Sequence, residues 1–185
     1  EGSLSFCTAQ LQQPAAEDYG FIHYSRLIFP ASDKNFVRLR EQSGHDDTLT
    51  LSGNGQKVHI VARRIHPKRS DFSGISKDKY TARLYQGKPF YGMDSMISKS
   101  VFALERITLN GQTVPAAELQ GLFSPDFAAT ARGSNVYQRW EAYYRHTDKT
   151  LYLFGRQSSG AGSFDVCFIF KDGKFQRRYL WNAAI

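Results

Sequence analysis

The chain is 185 residues long, with 41% apolar, 22% charged and 14% aromatic residues and a formal net charge of +7. That length suits one domain, or at most two small ones, with a core that needs no staples. Ordinary apolar and charged fractions exclude a disordered or fibrous chain, and no apolar run approaches the roughly 20 residues of a membrane-spanning helix. The positive charge favours anionic partners, but it is spread along the chain rather than gathered in a tail, which argues against nucleic acid.

With 14 Phe and 10 Tyr, the composition favours strands. The chain opens on Glu1 rather than Met, in keeping with a removed leader or a trimmed terminus. Residues 1–16 are small and polar and read as a loosely ordered N-terminal segment, before a single β-rich domain over 17–185. Tyr19 to Phe29 is apolar on both alternating faces and predicts a strand stopped by Pro30. Phe36 to Arg40 predicts a short strand. Asn54-Gly55 closes a hairpin that pairs Leu51 with Val58 and Leu49 with Ile60 on one face, and Thr50 with His59 and Thr48 with Val61 on the other.

Beyond Pro67 the sequence turns basic and loop-like. Lys79 to Tyr85 then predicts a strand with Tyr80, Ala82 and Leu84 on one side, and 86–100 predicts a loop unusually rich in apolar residues. Val101 to Leu109 predicts a strand entering an Asn110-Gly111 turn, with Ile107 opposite Val114. Pro115 suits the first turn of a short helix near 115–123, with Leu119, Leu122 and Phe123 on one face. Val136 to His146 predicts a strand that turns at 147–149 into Leu151 to Gly155.

Asp172-Gly173 closes the last hairpin. Strict period-2 pairing from that turn sets Phe170 against Phe175, Phe168 against Arg177, Val166 against Tyr179 and Phe164 against Trp181, one aromatic face on which Arg177 is the exception. The sum is a mainly β (α+β) fold: an antiparallel, meander-like sheet of about eight strands, forming a sandwich or partly closed barrel.

Two cysteines, Cys7 and Cys167, suit one disulfide in a periplasmic or secreted protein. None of the five histidines has metal-ligand spacing, and His45 beside Asp46 and Asp47 reads as a solvated loop. The stretch Gly155 to Gly162 leads into a strand, so it lacks the helix start a phosphate cradle requires. No cofactor is expected. Arg63, Arg64, Lys68 and Arg69 form the densest basic cluster, and Phe90, Tyr91, Met93 and Met96 are the adaptable apolar residues of the second loop. The composite expectation is a non-enzymatic, exported binding protein of the immunity or inhibitor kind. It would contact a partner in the cell envelope through loops 63–79 and 86–100. The alternatives are an enzyme on an anionic substrate, using Arg63, Arg64 or Arg69 as clamps and His59 or His66 as acid/base, or a binder of polyanions or membrane surfaces.

Overall fold

The computed structural model describes residues 35–80, 82–88, 90–91, 97–125, 127, 130–132, 135–137, 140–157 and 164–182. The segment 1–16, the expected strand Tyr19–Phe29, Cys7, Met93, Met96 and residues 158–163 lie outside that set. The strands are β1 (Phe36–Arg38), β2 (Arg40–Gly44), β3 (Thr48–Gly53), β4 (Gln56–Ile65), β5 (Phe72–Ser73), β6 (Leu84–Tyr85) and β7 (Val101–Leu109). They continue with β8 (Gln112–Thr113), β9 (Thr130–Arg132), β10 (Asn135–Tyr137), β11 (Trp140–Arg145), β12 (Thr150–Gln157), β13 (Phe164–Lys171) and β14 (Lys174–Asn182).

Three tight turns set the hairpin registers. Asn54-Gly55, Asn110-Gly111 and Asp172-Gly173 all take positive φ at both positions, the type I′ geometry that Asx-Gly pairs adopt at low cost. From the first, Leu51 pairs with Val58, Leu49 with Ile60 and Thr50 with His59, as expected.

Two antiparallel, five-stranded sheets result. Sheet A runs β1-β11-β12-β13-β14 and sheet B runs β2-β3-β4-β7-β8. Neither closes into a barrel. The chain passes from sheet A to sheet B at Leu39, whose N–H donates to the Ala142 carbonyl at 2.8 Å, so β1 and β2 are one extended run bent across both sheets. Two further pairs, β9-β10 and β5-β6, stand apart from the large sheets.

Leu49, Leu51, Val58, Ile60, Ile107 and Leu109 of sheet B share one buried cluster with Trp140, Leu151, Leu153, Val166, Phe168 and Phe170 of sheet A. At about 1.5–3 kcal/mol for each such side chain, this is the dominant favourable term in the fold.

Three expectations need correction. In the last hairpin, Phe170 does pair with Phe175 and Lys171 with Lys174, but the register shifts by one residue beyond them. Ile169 faces Arg177, Phe168 faces Arg178, Cys167 faces Tyr179, Val166 faces Leu180 and Phe164 faces Asn182. Gln176 is the extra residue of a β-bulge, and one inserted residue reverses the parity of all that follows. Leu180 therefore joins the shared core, and Tyr179 moves to the opposite face with Cys167 and Ile169.

The expected helix near 115–123 is a single 3-10 turn, Ala116–Glu118. Gly121, at φ +83°, ends the turn before an α-helix can nucleate, and Leu122 and Phe123 continue as bridging residues opposite Tyr91 and Ala103. Of the expected strand over 79–85, the described residues form strand only at Leu84–Tyr85, and Lys79, at φ +66°, is not extended.

Gly155 lies opposite Trp140, and a Cβ there would fall 2.5 Å from three indole carbons. Its role is close approach within β12 rather than loop flexibility. Gly155→Ala is expected to cost about 1–3 kcal/mol by overpacking, read as a lower urea midpoint at unchanged slope. An unshifted midpoint would mean that the indole moves aside freely.

Candidate functional site

Contrary to the expectation of charge spread along the chain, residues 63–83 hold seven lysines and arginines against two aspartates, a net +5 beside the whole chain's +7. Its first part is strand: Arg63 and Arg64 end β4. Arg63 Nε lies 3.7 Å from Glu105 Oε1, and the Arg64 guanidinium sits 5.0 Å over the Phe102 ring. Beyond His66-Pro67 the chain makes one 3-10 turn, Arg69–Asp71, fastened by the Lys68 N–H donating to Asp71 Oδ2 at 2.7 Å.

A second, smaller core carries the segment. Phe72, Ala82, Phe90, Val101 and Phe123 are buried together, with Ile65, Tyr85 and Ile97 packed against them. The Phe72 ring meets Tyr85 at 5.3 Å and Phe90 at 5.8 Å, both edge to face. Burial, followed by the nearby Asp71 charge, raises the Tyr85 phenol above its ordinary value. Ile65 and Phe72 from the first stretch and Phe90 and Ile97 from the second are thus packed together with Val101, at the start of β7.

Between Phe72 and Ala82 the chain makes a loop at 74–80. The Ser76 hydroxyl and, at 3.1 Å, the Tyr80 N–H both donate to Asp78 Oδ1, which holds this carboxyl below its ordinary value. The Tyr80 carbonyl accepts from Ile97 N–H at 2.8 Å, and the Lys79 carbonyl accepts from Arg69 Nη1 at 3.3 Å. The backbone is therefore strapped while the side chains point outward. Tyr80 is 71% exposed and Ile75 37% exposed, the two exposed large hydrophobics among the described residues. Lys68, Arg69, Lys77, Lys79 and Arg83 are all exposed around them.

The expected apolar residues are placed differently. Phe90 is only 8% exposed and belongs to the small core, while Tyr91 is half-buried, its ring 4.8 Å from that of Phe164. Sequence reading missed Tyr80 and Ile75 because it assigned Tyr80 to a strand face. Net charge counted over a window of about 20 residues singles out this segment.

The histidines disperse. His59 Nδ1 is 3.0 Å from Thr50 Oγ1, His66 Nδ1 is 3.3 Å from the Lys99 carbonyl, and His146 Nδ1 is 3.3 Å from Asn54 Nδ2. Among the described residues no group of three His, Cys, Asp or Glu is placed to hold a metal ion. Arg63, Arg64 and Arg69 likewise take separate partners rather than converging on one histidine. Two shallow clefts lie at the far end of the strands. One of about 390 Å³ lies among the hairpin turns at Asn110, Lys149 and Asp172, and one of about 420 Å³ lies over Thr50, His59 and Thr108. At about 3.4 Å per residue, the length of β4 puts the turn cleft roughly 30 Å from the basic loop.

No protein-family model, curated protein or solved structure matches this chain.

Phe90→Ala is expected to destabilise the fold by about 3–5 kcal/mol, as for a ring removed from a core. Tyr80→Ala should stay within about 0.5 kcal/mol, as for an exposed position. Denaturant unfolding of the two variants separates support from display, and a costly Tyr80→Ala would return that ring to the core.

Proposed function

We propose that this protein is an exported, non-enzymatic binding protein, periplasmic or secreted, of the immunity or inhibitor kind. In this reading its two open sheets stack as a sandwich, and the work is done by the 74–80 loop. The carrying observation is that Tyr80 and Ile75 are both exposed on a strapped loop, within a segment, 68–83, that carries five exposed cations. An aromatic anchor with a charged rim is the usual anatomy of a binding hot spot. The positive rim selects a partner with an acidic surface, and the 86–100 stretch, through Phe90, serves as the support of that surface. A polyanion is the second reading, favoured by the same cations, and differs in having no use for Tyr80.

Capture from the envelope fraction of its own cell tests this. The intact protein should retain a partner that Tyr80→Ser and Ile75→Ser each release at least tenfold more readily. Binding should weaken as salt approaches about 1 M, where the screening length falls to roughly 3 Å. Recovery of no partner, or equal capture by the variants, would overturn the proposal. Binding to heparin that ignores Tyr80 would favour the polyanion.

Export implies a disulfide between Cys7 and Cys167. Cys167 is 0% exposed in the middle of β13, so a bond there would fasten the amino-terminal stretch to the β13–β14 hairpin. The chain-entropy estimate for so long a loop is roughly 5 kcal/mol. Thiol titration of the denatured, unreduced protein should find no free thiol, and two free thiols would end this part of the reading.

A further inference from the structure

The face of sheet B turned away from sheet A carries a polar row that the 74–80 loop does not use. Ser43 stands opposite Thr50, Thr50 opposite His59, His59 opposite Thr108 and Thr108 opposite Thr113, so each of the five strands contributes a hydroxyl or an imidazole. Parity fixes the side: Leu49, Leu51, Val58, Ile60, Ile107 and Leu109 alternate with the row and fill the shared core. At the centre of the row the Thr50 hydroxyl lies 3.0 Å from His59 Nδ1. When that hydroxyl donates, the ring's own proton lies on Nε2, the nitrogen away from Thr50.

This part of the row lies in the cleft of about 420 Å³, which Lys57, Asn110 and Gly111 complete. The end wall of the cleft is held in place. The Lys57 N–H donates to Asn110 Oδ1 at 2.7 Å, the Lys57 carbonyl accepts from the Asn110 N–H at 2.9 Å, and Asn110 Nδ2 donates to Gln56 Oε1 at 3.0 Å. Lys57 stands two residues before His59 on the same face of β4, about 7 Å along the strand. The Thr108 Cβ lies about 5 Å across from that of His59. Arg106, two residues before Thr108 on β7, flanks the pair on the side away from Lys57. Both cations are exposed. Among the described residues no carboxylate lines the cleft, and neither Lys57 nor Arg106 is in ion-pair contact with one, whereas Arg38, Arg63, Arg145, Arg156 and Arg178 each are.

A ring of donors on a fixed wall, with cations on both sides and no acid in it, selects an anion. Its shape selects among anions. A carboxylate is planar and offers two oxygens, whereas a tetrahedral oxyanion seated on three donors engages three and points its fourth oxygen outward. At donor distances of about 2.7–2.9 Å, a phosphate group fills the triangle of Lys57, His59 and Thr108. The lining has no large apolar side chain, so recognition rests on the charged group rather than on the body of the ligand. We infer that this face of sheet B binds a phosphate group, free or as the ester of a small molecule. Lys57, His59 Nε2 and the Thr108 hydroxyl hold it, Arg106 adds the outer counter-charge, and Thr50 positions the imidazole. His59 stands six residues along β4 from Ile65, roughly 20 Å, so the site is separate from the 74–80 loop and goes beyond the function proposed for that loop.

Amide NMR of the full chain tests this at about 0.15 M ionic strength, where the screening length is about 8 Å. On addition of inorganic phosphate, the amides of His59, Thr108 and Gly111 should shift and saturate below about 10 mM. Phenyl phosphate binding more tightly than inorganic phosphate would assign the site to an ester, and the reverse order to the free ion. Lys57→Gln and Arg106→Gln should each weaken binding at least about fivefold. Both side chains are exposed, so neither change endangers the fold, and Lys171→Gln, an exposed cation on sheet A, should leave the affinity as it is. Thr50→Val should weaken binding while Thr50→Ser, which keeps the hydroxyl, retains it. Should Thr50→Val fail to fold, Thr108→Val reads the loss of a hydroxyl at the less buried end of the row. Shifts that grow without saturating, an equal response to acetate or chloride, or an affinity indifferent to Lys57→Gln and Arg106→Gln would overturn the inference.

Discussion

Burial of sheet A on both faces is the constraint from which the rest of the architecture follows. Its inner side chains meet sheet B, and its outer ones are taken out of water as well. Strands held this way have no polar face to spare, so β13 reads Phe-Asp-Val-Cys-Phe-Ile-Phe rather than alternating. Charge is pushed to the margins of the outer face and neutralised there. Arg38 meets Glu141 at 2.6 Å, Arg145 meets Asp148 at 2.5 Å and Arg156 meets Asp165 at 2.8 Å. Arg145 also lies over the Phe36 and Tyr152 rings at 5.7 and 5.2 Å, so the paired cation covers aromatic surface. Burial, and then the Glu141 charge, push the Tyr143 phenol far above its ordinary value, so its hydroxyl keeps its proton and donates to Glu141 at 2.8 Å.

Two devices hold the sheets to each other beyond apolar contact. One is the bend at Leu39, where a single extended run serves both sheets. The other is the bulge at Gln176. By reversing parity it turns Arg178, not Arg177, toward the interior, where the guanidinium reaches the Glu118 carbonyl and lies 3.7 Å from the Glu118 carboxylate. Burial lowers the Arg178 pKa and the Glu118 charge opposes that shift, so the pair joins β14 to the turn after β8 at a site where a lone cation would be costly.

How much was legible in the sequence follows from these features. Asx-Gly turns were readable because only a few residue pairs tolerate positive φ twice in succession, and each therefore sets a register by itself. The bulge was not readable: nothing local to Gln176 marks it, and its effect is to choose which of Tyr179 and Leu180 meets sheet B. The small core under the basic loop was hidden for a related reason. Phe72, Phe90 and Phe123 come from three separate irregular stretches, so no periodicity connects them. Of the candidate site, the basic residues Arg63, Arg64, Lys68 and Arg69 were legible as a cluster in the sequence, while apolar contact residues were sought in 86–100, where Phe90 packs inward, and the exposure of Tyr80 and Ile75 was not read.

In the proposed reading, the surface open to a partner is what these constraints leave exposed. The outer side of sheet B has a polar row, Thr50, His59 and Thr108, with Arg40, Lys57 and Arg106 exposed around it, and offers charge without an apolar anchor. The 74–80 loop offers both. Magnitudes separate the two roles: an exposed ion pair contributes at most about 1 kcal/mol, whereas a fully buried large apolar side chain contributes about 1.5–3 kcal/mol. In the proposed reading, Lys77 and Lys79 on this loop, with Lys68, Arg69 and Arg83 in the flanking sequence, govern how fast an acidic partner arrives, and Tyr80 how long it stays. A rigid loop is what such a division requires, since every rotamer or backbone angle already fixed in the free protein is an entropy loss that binding no longer incurs. The straps from Asp78, Ile97 and Arg69, laid over the Phe72–Phe90 core, meet that requirement.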